Sequence, residues 1–215
     1  MDIEIVFSDS DIVVVNKPGG LLAVPGRGPE KQDSVSTRLQ NSFAGMIKQP
    51  SVHRLDMYTS GLMVFAMTKA SHRNLSDQFA SRKVNKTYCA VLEKKINPEG
   101  GEIHLAFRLA PENRPYQVYD PERGKMGISF WKKLGTSDNT TTVKFTPLTG
   151  RTHQLRLHAA HPLGLDAPII GDSLYGSGQD GDMMMLHATE LEFSHPRSGK
   201  TMRFTSPPPF NTHFS

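Results

Sequence analysis

The sequence has almost no cysteine and no long apolar segment. Cys89 is the single cysteine among 215 residues, which excludes an internal disulfide framework and a metal site built from several thiolates. No apolar run approaches the roughly 20 residues that a transmembrane helix needs, and the acidic first residues, MDIE, lack the pattern of a signal peptide. Internal repeats and low-complexity segments are absent as well. We therefore expect a protein of the reducing cytoplasm that does not enter a membrane.

The excess of positive over negative charge is small. The formal net charge is +4 and the pI is about 9.2, while 37% hydrophobic and 21% charged residues are ordinary for a globular domain. A basic domain suits a polyanionic partner, because each phosphate that it neutralises releases condensed counterions. A slightly basic solvated surface explains the same numbers, so the charge alone leaves nucleic-acid binding open.

Hydrophobic patterning predicts a fold rich in β-hairpins. Three hairpins are expected where two short apolar runs flank a polar turn, over residues 3–7 with 12–15, 128–134 with 140–146, and 190–194 with 201–205. Residues 62–67 and 86–92 predict further strands. Helices are expected from a cap at Asp33 or Ser34 to Phe43, from Thr68 or Ser71 to Ser81, and over residues 152–160. Residues 98–125 contain several Pro, Gly and Arg residues and predict a long surface excursion.

The predicted hairpins outnumber strand–helix–strand units. This favours an α+β fold around a mixed, mostly antiparallel sheet. At 215 residues the chain can form one sizeable core or two lobes that share a core. We expect the first and second halves of the sequence to form two lobes with a cleft between them.

A short polar segment stands where a loop meets a predicted buried strand. It consists of His53-Arg54-Leu55-Asp56 and is followed five residues later by Gly61. Such a junction holds side chains on a rigid scaffold and leaves them accessible, so Asp56 is a candidate catalytic carboxylate. An Arg54–Asp56 surface ion pair that caps a turn is the alternative, because such pairs are common.

A second basic cluster occupies the third predicted helix. Arg151, His153, Arg156 and His158 fall within eight positions, and the glycine and threonine near the helix start leave backbone N–H groups for an anion. Arg156 suits a carboxylate partner, because a guanidinium is permanently charged and forms two parallel hydrogen bonds. A basic helix face exposed to solvent is the more ordinary meaning of this spacing.

A metal-dependent hydrolase and a nucleotide-binding protein are weaker alternatives. His153, His158 and His161 are close in sequence, but the i,i+5 spacing of the first two places them on different sides of a helix. No H-E-x-x-H pattern or cysteine pair is present. The G-x-G pattern at Gly26 stands alone, without a strand-to-helix phosphate loop. We expect neither a metal nor a cofactor.

Several segments of the sequence resemble the RluA-type pseudouridine synthases in order and spacing. HRLDMYTSGLMVFAMTKAS and PLTGRTHQLRLH carry the most specific part of this likeness, which extends through DIVVVNKPGGLL, KTYCAVL, NRPYQVYDPERGKM, PIIGDSLYG and LHATELEFSHPRSG. The resemblance covers the chain from about Ile12 to its C-terminus and is to the short branch without an N-terminal RNA-binding domain. It implies a single catalytic domain over residues 1–215, with the pseudouridine synthase fold and a central catalytic cleft.

The resemblance implies an enzyme that isomerises selected uridines in structured RNA. The uracil is detached from its ribose, turned, and rejoined through carbon 5. The expected substrates are large-subunit ribosomal RNA, a tRNA anticodon stem-loop, or both, and we expect a monomer. The alternative is a catalytically silent RNA-binding or RNA-folding protein on the same scaffold, which would be expected to lack the catalytic residue types.

By resemblance, Asp56 is the catalytic aspartate and Arg156 is the arginine that pairs with it. Asp56 must be ionised whether it attacks the sugar, attacks the base or removes a ribose proton, and the sequence leaves these three roles open. Tyr88 matches the tyrosine whose ring stacks on the uracil and whose hydroxyl can take the proton from carbon 5. A strand tyrosine that fills the core is the alternative for Tyr88.

A uridine inside a stem-loop must leave its stack to reach the carboxylate, so the resemblance also implies base flipping. Arg54 matches the residue that fills the gap left by the flipped nucleotide. The other residues that we assign to RNA binding are His53, Asn113, Arg114, Lys125, Arg151 and His153. Met185 and Leu186 match the apolar wall of the base pocket. The segment KMGIS at residues 125–129 departs from the Lys-Pro-Ala-x-Thr of relatives, which leaves the RNA contacts there open.

Overall fold

The computed structural model of the chain describes residues 3–137 and 139–212. These residues form ten β-strands and three α-helices. The strands are β1 (Glu4–Ser8), β2 (Ile12–Lys17), β3 (Ser60–Ala66), β4 (Asn85–Leu92), β5 (Gly100–Leu109), β6 (Gln117–Tyr119), β7 (Lys125–Ser137), β8 (Thr140–Pro147), β9 (Leu186–Ser194) and β10 (Thr201–Thr205). The helices are α1 (Val35–Ser42), α2 (Lys69–Ala80) and α3 (Gln154–Ala160). No helix among the described residues is long and apolar enough to cross a membrane.

The described residues divide into two compact units. The first unit contains the residues up to Lys86 together with His187–Pro208, and the second contains Thr87–Leu186 together with the residues from Pro209 onward. The expectation that two lobes follow the two halves of the sequence is therefore wrong in one respect. β9 and β10 come late in the chain but belong to the first unit, because β9 pairs with β3 and β10 pairs with β9.

Strand pairing confirms an α+β fold with mixed, mostly antiparallel sheet structure. In the first unit the pairs β1–β2, β2–β3 and β9–β10 are antiparallel, while β3 and β9 are parallel. In the second unit the pairs β4–β8, β8–β7, β7–β5 and β5–β6 are all antiparallel. The three predicted hairpins correspond to β1–β2, β7–β8 and β9–β10. Asp138, in the predicted turn between β7 and β8, lies outside the described residues.

Alternate residues of β2 and β3 build the core of the first unit. Ile12, Val14, Leu62 and Val64 are at most 1% exposed and belong to one hydrophobic cluster. Leu75 of α2 belongs to the same cluster and is fully buried. The helix therefore packs on the sheet and supports the strand that follows the His53–Asp56 segment.

Side-chain caps define the starts of α1 and α2. The Thr37 N–H donates to Ser34 Oγ at 3.2 Å, and the Ser71 N–H donates to Thr68 Oγ1 at 3.1 Å. Each cap satisfies an amide that the helix leaves unbonded and contributes about 1 kcal/mol. Of the alternative caps predicted for each helix, Ser34 and Thr68 are the ones used.

The predicted surface excursion over residues 98–125 is wrong for half of its length, where the chain forms strands. β5 occupies ten of these residues and pairs along β7, with Ile103, Leu105 and Phe107 buried. A Cβ at Gly100 would lie 2.8 Å from the carbonyl oxygen of Trp131, so this glycine permits a close approach of two strands rather than a loop. Residues 98–99, 110–116 and 120–124 of the predicted excursion are irregular.

Candidate active site

The segment that carries Asp56 connects an isolated bridge at Ser51 to the start of β3. Its side chains differ in exposure: Arg54 is exposed, Leu55 is buried and Asp56 is half-buried. The Thr59 N–H donates to the Asp56 carbonyl at 3.2 Å, which closes a turn before the strand. The carboxylate therefore stands at a loop–strand junction and at the edge of solvent.

His53 anchors this segment to the first unit. The Val64 N–H donates to His53 Nε2 at 3.1 Å, and the imidazole stacks on the Phe79 ring with 4.5 Å between centroids. Burial, followed by the positive charge of Lys86, lowers the pKa of His53 to about 3, so the ring is neutral at physiological pH. The RNA contact assigned to His53 stays a prediction, and the described contacts favour a role in holding Arg54 in place.

Lys17, which was not predicted from the sequence, is a buried lysine near the Asp56 segment. Lys17 is 0% exposed, and its Nζ donates to the carbonyl oxygens of Pro18 at 2.9 Å, Leu21 at 2.7 Å and Met57 at 2.8 Å. A protonated lysine has three donors, so its full capacity is used. Burial lowers the pKa of Lys17 to about 7, and the negative charge of Asp56 opposes this shift.

Two donors fix the carbonyl of Met57, the residue that directly follows Asp56. Besides Lys17 Nζ, the Gly20 N–H donates to this oxygen at 3.0 Å. Lys17 thus holds the backbone that carries the carboxylate and also places a positive charge near it. The only signal for Lys17 in the sequence is its position at the end of the apolar run VVVNK, where a lysine is buried only if the fold supplies it with partners.

The second unit holds Arg156 in a buried ion pair with Asp172. Arg156 is 3% exposed and Asp172 is 0% exposed. The guanidinium donates from Nε to Oδ2 at 2.8 Å and from Nη2 to Oδ1 at 2.5 Å, so its plane is oriented. The alternative that α3 presents a basic face to solvent is wrong, because residues 154–159 are all buried. The pairing of Arg156 with Asp56 stays a prediction, and Asp172 is a partner of Arg156 that was not predicted from the sequence.

The residues predicted to contact the uracil also lie in the second unit. Tyr88 is half-buried in β4 and lies opposite the fully buried Phe145 of β8. Leu186 is 3% exposed, and Met185 is partly buried against a small cluster around Cys89. The stacking role of Tyr88 and the pocket role of Met185 and Leu186 stay predictions.

Most residues assigned to RNA binding are accessible to a polyanion. The exposed ones are Arg54, Asn113, Arg114, Lys125 and Arg151. His153 differs, since it is 9% exposed and its Nδ1 lies 2.9 Å from the Tyr175 hydroxyl. It precedes α3 with a left-handed backbone, φ 56°. All these assignments stay predictions, and the contacts of His153 point to a role inside the unit.

Replacing His158 with leucine is expected to stabilise the protein. His158 is 0% exposed, and neither of its ring nitrogens has a hydrogen-bond partner among the described residues. Because an unsatisfied buried polar group costs about 1–3 kcal/mol, His158→Leu should raise the free energy of unfolding by about 1 kcal/mol or more at neutral pH. Burial, followed by the charge of His104, lowers the pKa of His158 to about 4. The stability gained by His158→Leu therefore depends on pH.

The gain from His158→Leu should grow on acidification. Unfolded His158 binds a proton below about pH 6.5, whereas the folded ring stays neutral until about pH 4. Between these values the native protein loses up to about 1.4 kcal/mol of stability per pH unit through this residue, and the leucine variant does not. Urea unfolding of both proteins at pH 7 and pH 5 measures the effect. An equal gain at both pH values would show that the folded ring is not held neutral.

Asp9, Asp11 and His195 of the first unit bring possible ligand atoms within 4.8 Å of one another. Their side chains are bonded within the protein. His195 Nε2 lies 2.8 Å from Asp9 Oδ2, Arg197 Nε lies 2.8 Å from Asp11 Oδ2, and Ser71 Oγ donates to Asp11 Oδ1 at 3.0 Å. This cluster ties the β1–β2 turn to α2 and to the β9–β10 turn, and we assign no metal to it.

The family model for RNA pseudouridylate synthases matches residues 11–161, a range that contains the Asp56 segment, β4 and α3. The match defines the class of protein as an RNA-modifying isomerase. The chain belongs to the RNA pseudouridylate synthase family, and within that family to the RluA type. It is 42% identical over 215 residues to the dual-specificity RNA pseudouridine synthase RluA of Haemophilus ducreyi, covering 97% of this chain and 94% of that protein. It is 43% identical over 204 residues to the RluA of Yersinia pestis, covering 93% and 96%.

Solved structures share the fold. The human RNA pseudouridylate synthase domain containing 1 superposes with a TM-score of 0.77 at 29% sequence identity, covering 98% of this chain and 85% of that one. The human RNA pseudouridylate synthase domain containing 4 superposes with a TM-score of 0.71 at 22% identity, covering 96% and 88%, and supports the fold alone. The pseudouridine synthase fold expected from the sequence is thereby confirmed.

Proposed function

We propose that this enzyme isomerises specific uridines in large-subunit ribosomal RNA, in a tRNA anticodon stem-loop, or in both. The relatives from Haemophilus ducreyi and Yersinia pestis are named dual-specificity RNA pseudouridine synthases, which supports more than one substrate RNA. A single catalytic domain over residues 1–215 would carry this activity. The monomeric state and the cytoplasmic location stay predictions.

Asp56 is the residue to which we assign the chemistry. The observation that carries this assignment is the fixed backbone on both sides of Asp56. His53 accepts a hydrogen bond from β3 on one side, and the Met57 carbonyl is bonded to the buried Lys17 on the other. A carboxylate mounted in this way keeps its position while a nucleotide enters, and correct positioning supplies a large part of an enzymatic rate.

The reaction breaks the bond between ribose C1′ and uracil N1 and forms a bond between C1′ and C5. The C5 proton is released, and N1 takes up a proton in its place. Ionised Asp56 acts on the sugar carbon, on the base or on a ribose proton. Arg156, whose guanidinium is oriented by Asp172, would pair with this carboxylate. Tyr88 would stack on the uracil and accept the C5 proton.

Arg54 is suited to enter an RNA stem. It is exposed between the anchored His53 and the buried Leu55, so its guanidinium can stack on bases while its backbone stays fixed. In this position it would fill the gap that the flipped uridine leaves. Met185 and Leu186 would line the base pocket. The exposed residues that would contact the RNA backbone are Asn113, Arg114, Lys125 and Arg151.

Incubation of the purified protein with unmodified large-subunit ribosomal RNA and unmodified tRNA transcripts is expected to produce pseudouridine at one or a few positions. Because a bond to C1′ replaces the hydrogen on C5, RNA tritiated at C5 of uridine should release tritium as the reaction proceeds. Chemical mapping then locates the modified nucleotides, and RNA from a strain without the gene should lack pseudouridine there.

The same experiment separates an enzyme from an RNA-binding protein on the same scaffold. A catalytically silent RNA-binding or RNA-folding protein would retain labelled RNA on a filter without releasing tritium. That outcome would contradict the proposed function, whereas tritium release from ribosomal RNA only, or from tRNA only, would narrow the substrate to one of the two.

A further inference from the structure

We propose that Tyr175 is a positioning residue that connects the exposed loop of residues 110–116 to Arg156. The proposal rests on the proposed function, in which Arg156 serves Asp56 and the loop contacts RNA. Tyr175 belongs to the second unit, as do the loop and Arg156. Its ring contacts Arg156, and its hydroxyl contacts the base of the loop at Gln117.

The ring of Tyr175 faces the guanidinium of Arg156. The Arg156 Cζ lies 5.3 Å from the ring centroid, a distance typical of a cation–π contact. Asp172 holds the side chain of Arg156 and the backbone of Tyr175, because its carboxylate accepts two hydrogen bonds from Arg156 and its Oδ1 also accepts the backbone N–H of Tyr175 at 3.1 Å. The guanidinium is therefore held by two hydrogen bonds to a carboxylate and lies over the aromatic ring of Tyr175.

The hydroxyl of Tyr175 reaches the base of the loop. It accepts the backbone N–H of Gln117 at 2.8 Å and lies 2.9 Å from Nδ1 of His153. Gln117 is the first residue of β6, directly after the loop, and is 9% exposed. The rings of Tyr116 and Tyr175 meet edge to face, with 5.9 Å between centroids. His153 precedes the helix that carries Arg156, so one hydroxyl joins the loop to the start of that helix.

Backbone hydrogen bonds close the loop into a compact turn. The Ala110 N–H donates to the Tyr116 carbonyl at 2.9 Å, the Asn113 N–H to the Ala110 carbonyl at 3.2 Å, and the Tyr116 N–H to the Asn113 carbonyl at 2.9 Å. Asn113 and Arg114 are exposed at the tip of this turn. A displacement of the tip by RNA is therefore passed to the base of the loop, where the hydroxyl of Tyr175 is bonded.

Tyr175→Phe tests the role of the hydroxyl separately from that of the ring. The variant loses the bonds to Gln117 and His153 but keeps the ring against Arg156, so the KM for RNA is expected to rise about five- to tenfold with little change in kcat. Tyr175→Leu also removes the ring and should in addition lower kcat about tenfold or more. Tyr119→Phe is the matched control, because it removes the same atom from a side chain that is 40% exposed. It should change neither constant.

A double-mutant cycle with Arg114→Ala separates positioning from a purely structural role. If Tyr175 acts through the loop that presents Arg114, the effects of Tyr175→Phe and Arg114→Ala on KM overlap, and the double variant is impaired by less than the product of the two. Multiplicative effects would overturn the inference. So would a KM for Tyr175→Phe equal to that of Tyr119→Phe.

The same double-mutant cycle can be measured on the dissociation constant for RNA, which does not require turnover. If the native protein binds RNA but releases no tritium, the proposed function fails, and the cycle on the dissociation constant still decides whether Tyr175 acts through the loop. If the native protein releases tritium but the cycle shows no coupling, the proposed function stands and the role of Tyr175 is refuted.

Discussion

Asp56→Asn is expected to lower the rate of pseudouridine formation by at least about a thousandfold while RNA binding persists. Asparagine has the shape of aspartate without its charge, so it can neither attack as a nucleophile nor remove a proton efficiently. The amide occupies the same space at the edge of solvent, and the bonds of His53 and Lys17 that hold the segment do not involve this carboxylate. Tritium release in a single turnover, with enzyme in excess over RNA, measures the rate.

Asp77→Asn is the control for this substitution. Asp77 is exposed on α2 in the same unit, so the same loss of charge there should leave the rate unchanged. The dissociation constant of Asp56→Asn for RNA should stay within a few-fold of the native value. A native rate in Asp56→Asn would remove Asp56 from catalysis, and a parallel loss of RNA binding would mean that its effect is not confined to the chemical step.

The hairpins and the helix starts were predictable because their signals are local. The β1–β2 turn lies between two short apolar runs, and Ser34 and Thr68 each cap a helix by accepting a bond from the residue three positions later. Interactions of this kind join residues that are close in sequence, so a pattern of residue types is enough to identify them.

β5 was not predicted because composition does not show whether its glycines form a turn or allow two strands to approach closely. Gly100 and Gly101 are typical of a loop, yet in the structure Gly100 lets β5 approach the carbonyl of Trp131. Whether a glycine permits a turn or a close approach depends on a strand distant in sequence. The parallel pairing of β9 with β3 escaped for the same reason, since no local pattern marks its partner.

Residue types identified the catalytic segment but not the side chains that hold it. Asp56 and Arg54 stand in a recognisable motif, whereas the inward orientation of His53 depends on Val64 and Phe79. Lys17 is satisfied by backbone carbonyls, which every sequence supplies, so no residue type could mark its partners.

Lys17→Met is expected to lower the free energy of unfolding by about 3 kcal/mol at neutral pH. Methionine fills a similar volume but donates no hydrogen bond, so the carbonyls of Pro18, Leu21 and Met57 lose the amine. The methionine variant also avoids the free-energy cost of burying the amine, but this offsets only part of the loss. Lys83→Met is the control, because Lys83 is exposed in the same unit and the change should cost less than about 0.5 kcal/mol. Urea unfolding of the three proteins measures both values.

The difference in stability between the native protein and Lys17→Met should widen as the pH rises from 7 to 9. The folded pKa of about 7 lies below the unfolded value of about 10.4, so over this range the unfolded chain binds more protons than the folded one. The native protein therefore gains up to about 1.4 kcal/mol per pH unit from Lys17, and the methionine variant does not. A constant difference would show that Lys17 keeps its proton in the folded protein at pH 9.

Loss of Lys17 should also slow catalysis through Asp56. In Lys17→Met the Met57 carbonyl keeps one donor among the described residues, the Gly20 N–H, and the positive charge near the carboxylate is gone. At a temperature where the variant is fully folded, kcat should fall about tenfold or more, while the KM for RNA should change little. Because Asp56→Asn already removes the carboxylate, adding Lys17→Met to it should cause no further loss of the residual rate. A further loss as large as in the native background would mean that Lys17 affects the reaction independently of Asp56.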